Sequence, residues 1–250
     1  MNNKLFAVGI ILVLAVFSGV SQAKNDDVSC EGVPFDRSCW LNNLYPGQKK
    51  AEACAGCHGQ DGNSAMALFP KLAGQHPAYL VRQLMAFKSG ARTDLSMQSI
   101  ASSLSDEDMR DIAAFYSEQG ISANSLSEPE VTEDEDDDWG DSEEVAENSL
   151  SIEELIAMGR DLYRNGDVKN KVSACIACHG PYGQGNKPAV FPRLASQHAD
   201  YLIKSLKDFK SDVRNNNPDS MMHMIAKKMS DQEIRSEERR VGKECRSRWS

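Results

Sequence analysis

Two stretches of this chain are near copies of each other: FPKLAGQHPAYLVRQLMAFKSG at 69–90 and FPRLASQHADYLIKSLKDFKSD at 191–212. Ahead of them stand ACAGCHG at 53–59 and ACIACHG at 174–180. Beyond them come SDEDM at 105–109 and SDQEI at 230–234. The same features in the same order mean a duplicated domain, so whatever one copy folds into the other must fold into as well. Each copy reads as helical. Leu80, Leu84 and Phe87 recur at i, i+4, i+7 within 76–90, and Leu202, Leu206 and Phe209 repeat the pattern. Ser105 with Asp108 has the spacing of a capping box, opening a helix through Met109, Ile112 and Ala113 that stops near Gly120. Ser151 with Glu154 does the same ahead of Leu155, Ile156, Leu162 and Tyr163. Alternating strand patterns are absent, so the expected fold class is all-α. By analogy with the first copy, the second should close with a helix starting near Ser230, cut off at about Ile234.

The copies, expected at 44–120 and 151–234, are flanked by segments of other character. Residues 1–23 read as a secretory signal: Lys4 gives a positive start, Leu5 to Phe17 is apolar, and Ser21-Gln22-Ala23 suits cleavage. A retained anchor is the alternative, but the apolar run is short for a bilayer. Export to the periplasm follows. In an oxidising compartment Cys30 and Cys39, within the extension 24–43, are expected to form a disulfide. Two free thiols in a mobile arm are the other reading. Residues 121–150 form a linker whose stretch 127–149 is rich in carboxylates and has no basic residue. Such a run repels itself and cannot bury a core. It lacks the pattern of a calcium loop, and docking to a basic partner suits it better. The last sixteen residues, RSEERRVGKECRSRWS, depart from the acidic remainder: without their six basic and three acidic residues the net charge goes from −9 to −12. They resemble an in-frame translation of a sequencing-adapter oligonucleotide rather than a nucleic-acid-binding tail, which would deprive Cys245 and Trp249 of biological meaning.

The Cys-x-x-Cys-His clusters carry the chemistry. In a helical turn Cys54, Cys57 and His58 project to nearly the same side, as do Cys175, Cys178 and His179. Two thiols so placed can add to the two vinyl groups of one haem, and the adjacent imidazole can reach its iron. Two covalently bound haem c groups are therefore expected, one per copy. A shared zinc site would leave the duplication unexplained, and a dithiol switch would leave the histidines without a role. A second axial ligand is needed unless the iron is catalytic, and methionine is the soft partner of electron carriers. Met97, in the polar stretch RTDLSMQS, is the candidate in the first copy. In the second, aligning Leu104-Ser105-Asp106 with Met229-Ser230-Asp231 sets Met222 opposite Met97, with Met221 and Met224 as competitors. Core packing is the alternative role for these methionines. His76, His198 and His223 are rival ligands, but His76 and His198 each open a helix and are expected to be exposed or hydrogen-bonded.

With these residues in view, the chain resembles the di-haem cytochromes c4, which are two class I cytochrome c domains in tandem. The resemblance runs through CAGCHGQDGNS, the repeated FP segments, LSDEDMRDIAAFYSEQ and MMHMIAKKMSDQEI. It implies helical domains, His58 with Met97 on one iron and His179 with Met222 on the other. It also implies that Pro70 and Pro192 pack beside the axial histidines. The implied role is a non-enzymatic shuttle of single electrons from a quinol–cytochrome c reductase-type donor to a terminal oxidase or similar acceptor. Nucleic acid is not an expected partner, and any membrane association is peripheral, through those partners. The extension carrying Cys30 and Cys39, the long acidic linker and the shortened last helix depart from the family pattern. Two other roles compete: the electron-accepting di-haem subunit of a flavocytochrome-type dehydrogenase, and a di-haem peroxidase. The paired methionines and the similarity of the halves argue against the peroxidase.

Overall fold

The computed structural model describes residues 44–124, 151–216 and 218–236, all within one compact unit. The signal segment, Cys30 and Cys39, the acidic run and Cys245 lie outside the described residues. The first copy is built from α1 (Leu44–Lys50), a 3-10 turn at Ala51–Ala53, α2 (Ala55–His58), α3 (Pro77–Ser89), α4 (Leu95–Ser102) and α5 (Asp106–Ser117). The second comprises α6 (Ile152–Asn165), α7 (Ile176–His179), α8 (Ala199–Lys210), a 3-10 turn at Pro218–Ser220 and α9 (Met221–Ala226). A last helix covers 231–236. No strand occurs among the described residues, only isolated bridges such as Arg92 with Arg214.

Local chemistry sets the helix limits. Capping boxes close reciprocally at Ser105–Asp108 and Ser151–Glu154, each satisfying two otherwise orphaned N–H groups. Ser230 and Glu233 exchange the same bonds ahead of the last helix. That helix continues past Ile234 to Ser236, which is fully buried. Gly90 ends α3 in the left-handed region at φ 76°, where a side chain is strained.

In the first copy α1 and α3 both pack on α5. A Cβ on Gly47 would lie 2.1 Å from the Asp111 carbonyl oxygen, so the α1–α5 crossing requires glycine there. The core gathers Ala51, Leu80, Val81, Ile112, Ala113, Phe115 and Tyr116. Leu162, Val172, Met229 and Ile234 form its smaller counterpart in the second copy. On the expected apolar faces Leu80, Phe87 and Phe209 are buried, while Leu84, Leu202 and Leu206 are only half-buried.

Candidate functional site

Each Cys-x-x-Cys-His cluster forms a single helical turn, with Cys54 or Cys175 at the N-cap and Gly59 or Gly180 closing it at positive φ. Within that turn the two thiols are three residues apart and the first thiol and the imidazole four; Cys54 is half-buried, Cys57 exposed and His58 buried. None of Cys54, Cys57, Cys175 and Cys178 is in a disulfide. Among the described residues no three His, Cys, Asp or Glu side chains converge as for a bare metal ion, so the four cysteines do not assemble a zinc site. Burial, reinforced by Cys57, pushes the Cys54 thiol above its ordinary value. A reactive redox dithiol needs the opposite shift.

The two histidines have one environment between them. His58 and His179 are buried, and each places Nδ1 2.9 Å from a proline carbonyl, that of Pro70 or of Pro192. A carbonyl only accepts, so Nδ1 carries the proton and Nε2 keeps its lone pair. Burial pushes both imidazoles below their ordinary value. The proline carbonyls oppose this in both copies, and Asp94 also does so for His58. A neutral ring with a fixed tautomer is the state in which histidine ligates a metal. Phe69 and Phe191 stand beside the rings, at centroid separations of 6.1 and 6.4 Å. The matched prolines thus act through their carbonyls.

Met97 is the third residue of α4, half-buried, with its backbone N–H capped by the Asp94 carboxylate at 3.0 Å. Met222 is the second residue of α9 and also half-buried. Four residues beyond Met97 and Met222 stand Ala101 and Ala226, both fully buried, while Met224 is exposed.

The rival histidines have other surroundings. His198 Nε2 lies 2.9 Å from both the hydroxyl and the carbonyl oxygen of Ser64. His223 Nδ1 donates to the Phe209 carbonyl at 2.8 Å. His76 departs from expectation: it is buried and neither ring nitrogen is hydrogen-bonded. Gly185 occupies the position matched to Ser64, so the hydroxyl that serves His198 has no counterpart for His76.

Sequence reading did not single out the residues that join the halves. Gln75 Oε1 accepts from the Arg193 N–H at 2.8 Å, and its Nε2 donates to the Arg193 carbonyl at 2.9 Å. Gln197 makes the same pair with Lys71, at 2.8 and 3.0 Å. Arg92 and Arg214 reach across the same seam to Tyr201 and Tyr79. The repeat marks these residues as matched pairs, but similarity within a chain does not reveal which copy a side chain touches.

The donor set suits haem c. Paired thiols, a pre-oriented Nε2 and a thioether helix recur in both halves.

Comparison with known proteins gives one pattern. The cytochrome c family model matches residues 45–118 and 156–238. Cytochrome c4 of Pseudomonas aeruginosa is 39% identical over 189 residues, covering 75% of this chain and 82% of that protein. A thiosulfate dehydrogenase electron acceptor of Stutzerimonas stutzeri is 38% identical over 187 residues, covering 74% of this chain and 76% of that protein. The crystal structure of reduced recombinant cytochrome c4 from Pseudomonas stutzeri superposes with a TM-score of 0.66 at 34% identity, covering 80% of this chain and 97% of that one.

Proposed function

The chain belongs to the di-haem cytochrome c4 family and is an electron carrier with two covalently attached haem c groups, and on that premise we propose that it shuttles single electrons in the periplasm between membrane-bound redox complexes. Cys54 and Cys57 would tether one group, with His58 and Met97 holding its iron. Cys175 and Cys178 would tether the other, with His179 and Met222 holding its iron. The haem supplies the one-electron couple of its iron. The side chains hold it, shield it and set its potential through ligand identity, burial and hydrogen bonding. Ligation by Met97 and Met222 would leave neither iron open to a substrate, as a carrier requires.

The observation that carries this reading is the repeated 2.9 Å bond from a histidine Nδ1 to a proline carbonyl, which leaves Nε2 poised in both halves. For localisation, support comes from Lys4, the apolar run after it and Ser21-Gln22-Ala23. No described helix is long and apolar enough to cross a membrane. The charge layout bears on docking. Residues 125–150 hold twelve carboxylates and no basic residue, whereas thirteen Lys and Arg face ten Asp and Glu in 151–236. Steering toward a basic partner therefore falls to the acidic run, and its effect should fade as salt rises.

Material matured in a host that attaches haem tests the proposal. Mass spectrometry should show two added porphyrins, and a redox titration should show two one-electron steps. No added porphyrin, or an open sixth position on both irons, would defeat it. The relative described as a thiosulfate dehydrogenase electron acceptor favours a second reading, in which the chain accepts electrons from one dedicated dehydrogenase. Co-purification with such an enzyme, and no reduction by a quinol–cytochrome c reductase, would select that reading.

A further inference from the structure

We propose that Gln75 and Gln197 are crossed positioning residues, each holding the axial-histidine hydrogen bond of the opposite copy. This rests on His58 and His179 being iron ligands. The Pro70 carbonyl and the Lys71 N–H belong to one planar peptide group. The carbonyl end accepts from His58 Nδ1 at 2.9 Å, and the N–H end donates to Gln197 Oε1 at 2.8 Å. In the other half the Pro192–Arg193 peptide accepts from His179 Nδ1 at 2.9 Å and donates to Gln75 Oε1 at 2.8 Å. Each chain of hydrogen bonds thus runs from an axial imidazole, through one peptide group, to a glutamine contributed by the other copy.

The amide orientation is set by its surroundings. Each Gln Oε1 also accepts from the next residue's N–H, that of His76 or His198, at 3.0 Å, while Nε2 donates to a carbonyl. A flipped amide would set donor against donor. Both glutamines are buried, 6% and 5% exposed, so the bonds act at low local dielectric. Hydrogen bonds in series polarise one another. An acceptor on the peptide N–H makes the proline carbonyl a stronger acceptor. The histidine Nδ1–H is then held more firmly and Nε2 becomes more basic. A more basic axial nitrogen favours the oxidised iron.

The sign and the address of the effect follow. Gln197→Met keeps volume but removes the acceptor, so the iron at His58 should become easier to reduce while the iron at His179 is unchanged. Gln75→Met should do the reverse. In half-reduced, haem-loaded full chain, NMR that separates the two haems should show the reduced fraction moving into the first copy for Gln197→Met. For Gln75→Met it should move into the second. Exchange of the Nδ1–H of the affected histidine should also accelerate. Gln197→Glu keeps an acceptor oxygen and should return the partition toward the parent value, which a purely space-filling role would not do. A shift in the glutamine's own half, an equal shift in both irons, or no shift would overturn the crossing while leaving the carrier role intact. Parent spectra without histidine-ligated iron would overturn both.

Discussion

The Arg214 guanidinium donates to the Tyr79 hydroxyl at 2.9 Å across the seam between the copies, and Arg92 returns the contact to Tyr201 at 3.1 Å. Each arginine also lies 4.5 Å above a phenylalanine ring of its own half, Phe87 under Arg92 and Phe209 under Arg214. The symmetry breaks at Gln83, whose Oε1 accepts from both arginines, because its counterpart Ser205 accepts only from Arg214. Arg214 is the more deeply committed of the two, at 5% exposure.

Replacing Arg214 with alanine should therefore loosen the seam. The half-buried Tyr79 hydroxyl loses its donor, at a cost of about 1–3 kcal/mol for a group left without a partner, whereas Gln83 Oε1 keeps Arg92 and Asn216. The expected result in thermal unfolding of the haem-loaded protein is a lower midpoint and a broader transition as the halves uncouple. Arg214→Lys should recover only part of the loss, since an ammonium cannot serve Tyr79, Gln83 and Ser205 with one planar fork.

Gly185→Ala should be more damaging than a surface glycine change. The residue sits at φ +76°, and an added Cβ would lie 2.5 Å from the Phe191 carbonyl oxygen and 2.6 Å from His76 Nε2. Strain at such a position costs on the order of 1–3 kcal/mol. A fall in the melting midpoint is the measurement. Gly120→Ala, which meets nothing within 4 Å, serves as the control and should be close to neutral.

Met97→Ala and Met222→Ala should each remove the iron–sulfur charge-transfer absorption of one haem and leave that of the other. The altered haem should lose its high potential, because thioether ligation raises it. Spectroelectrochemistry reads both effects. An unchanged spectrum after Met222→Ala, with loss after Met221→Ala instead, would move the ligand by one position.

Acid should act on the first copy through Asp108. The bond from Lys50, followed by those from Ser105, pulls its carboxyl down to about 2. A depressed carboxylate stabilises the fold above its ordinary value of 3.8, and that contribution disappears as pH falls through about 2. Asp111, which shares Lys50, tempers this. Burial pushes its carboxyl up more strongly than Lys50 pulls it down. Far-ultraviolet circular dichroism between pH 4 and pH 2 should show unfolding that Asp108→Asn makes less dependent on pH.

Much of this was legible in the sequence for physical reasons. Cys54, Cys57 and His58 lie within one helical turn, so local geometry alone brings them together, and the second copy does the same. Ser105 and Ser151 announce their helices because a cap acts over three residues. The seam was not legible. Gln75 sits beside His76 in the chain, yet its partner Arg193 is 118 residues away. His76 and His198 look equivalent until Gly185 is set against Ser64, and that difference matters only because each position faces the histidine of the opposite copy. The prolines were recognised as matched, but the role of their carbonyls depends on the direction of a backbone that proline alone does not fix.

The exchange of Gln75 and Gln197 makes the two copies interdependent as fragments. Severing the chain between them would take Gln197 Oε1 from the Lys71 N–H and Gln75 Oε1 from the Arg193 N–H. Each excised half would then expose an amide and a peptide group that the intact protein keeps dry, so neither is expected to stand alone as firmly as the pair.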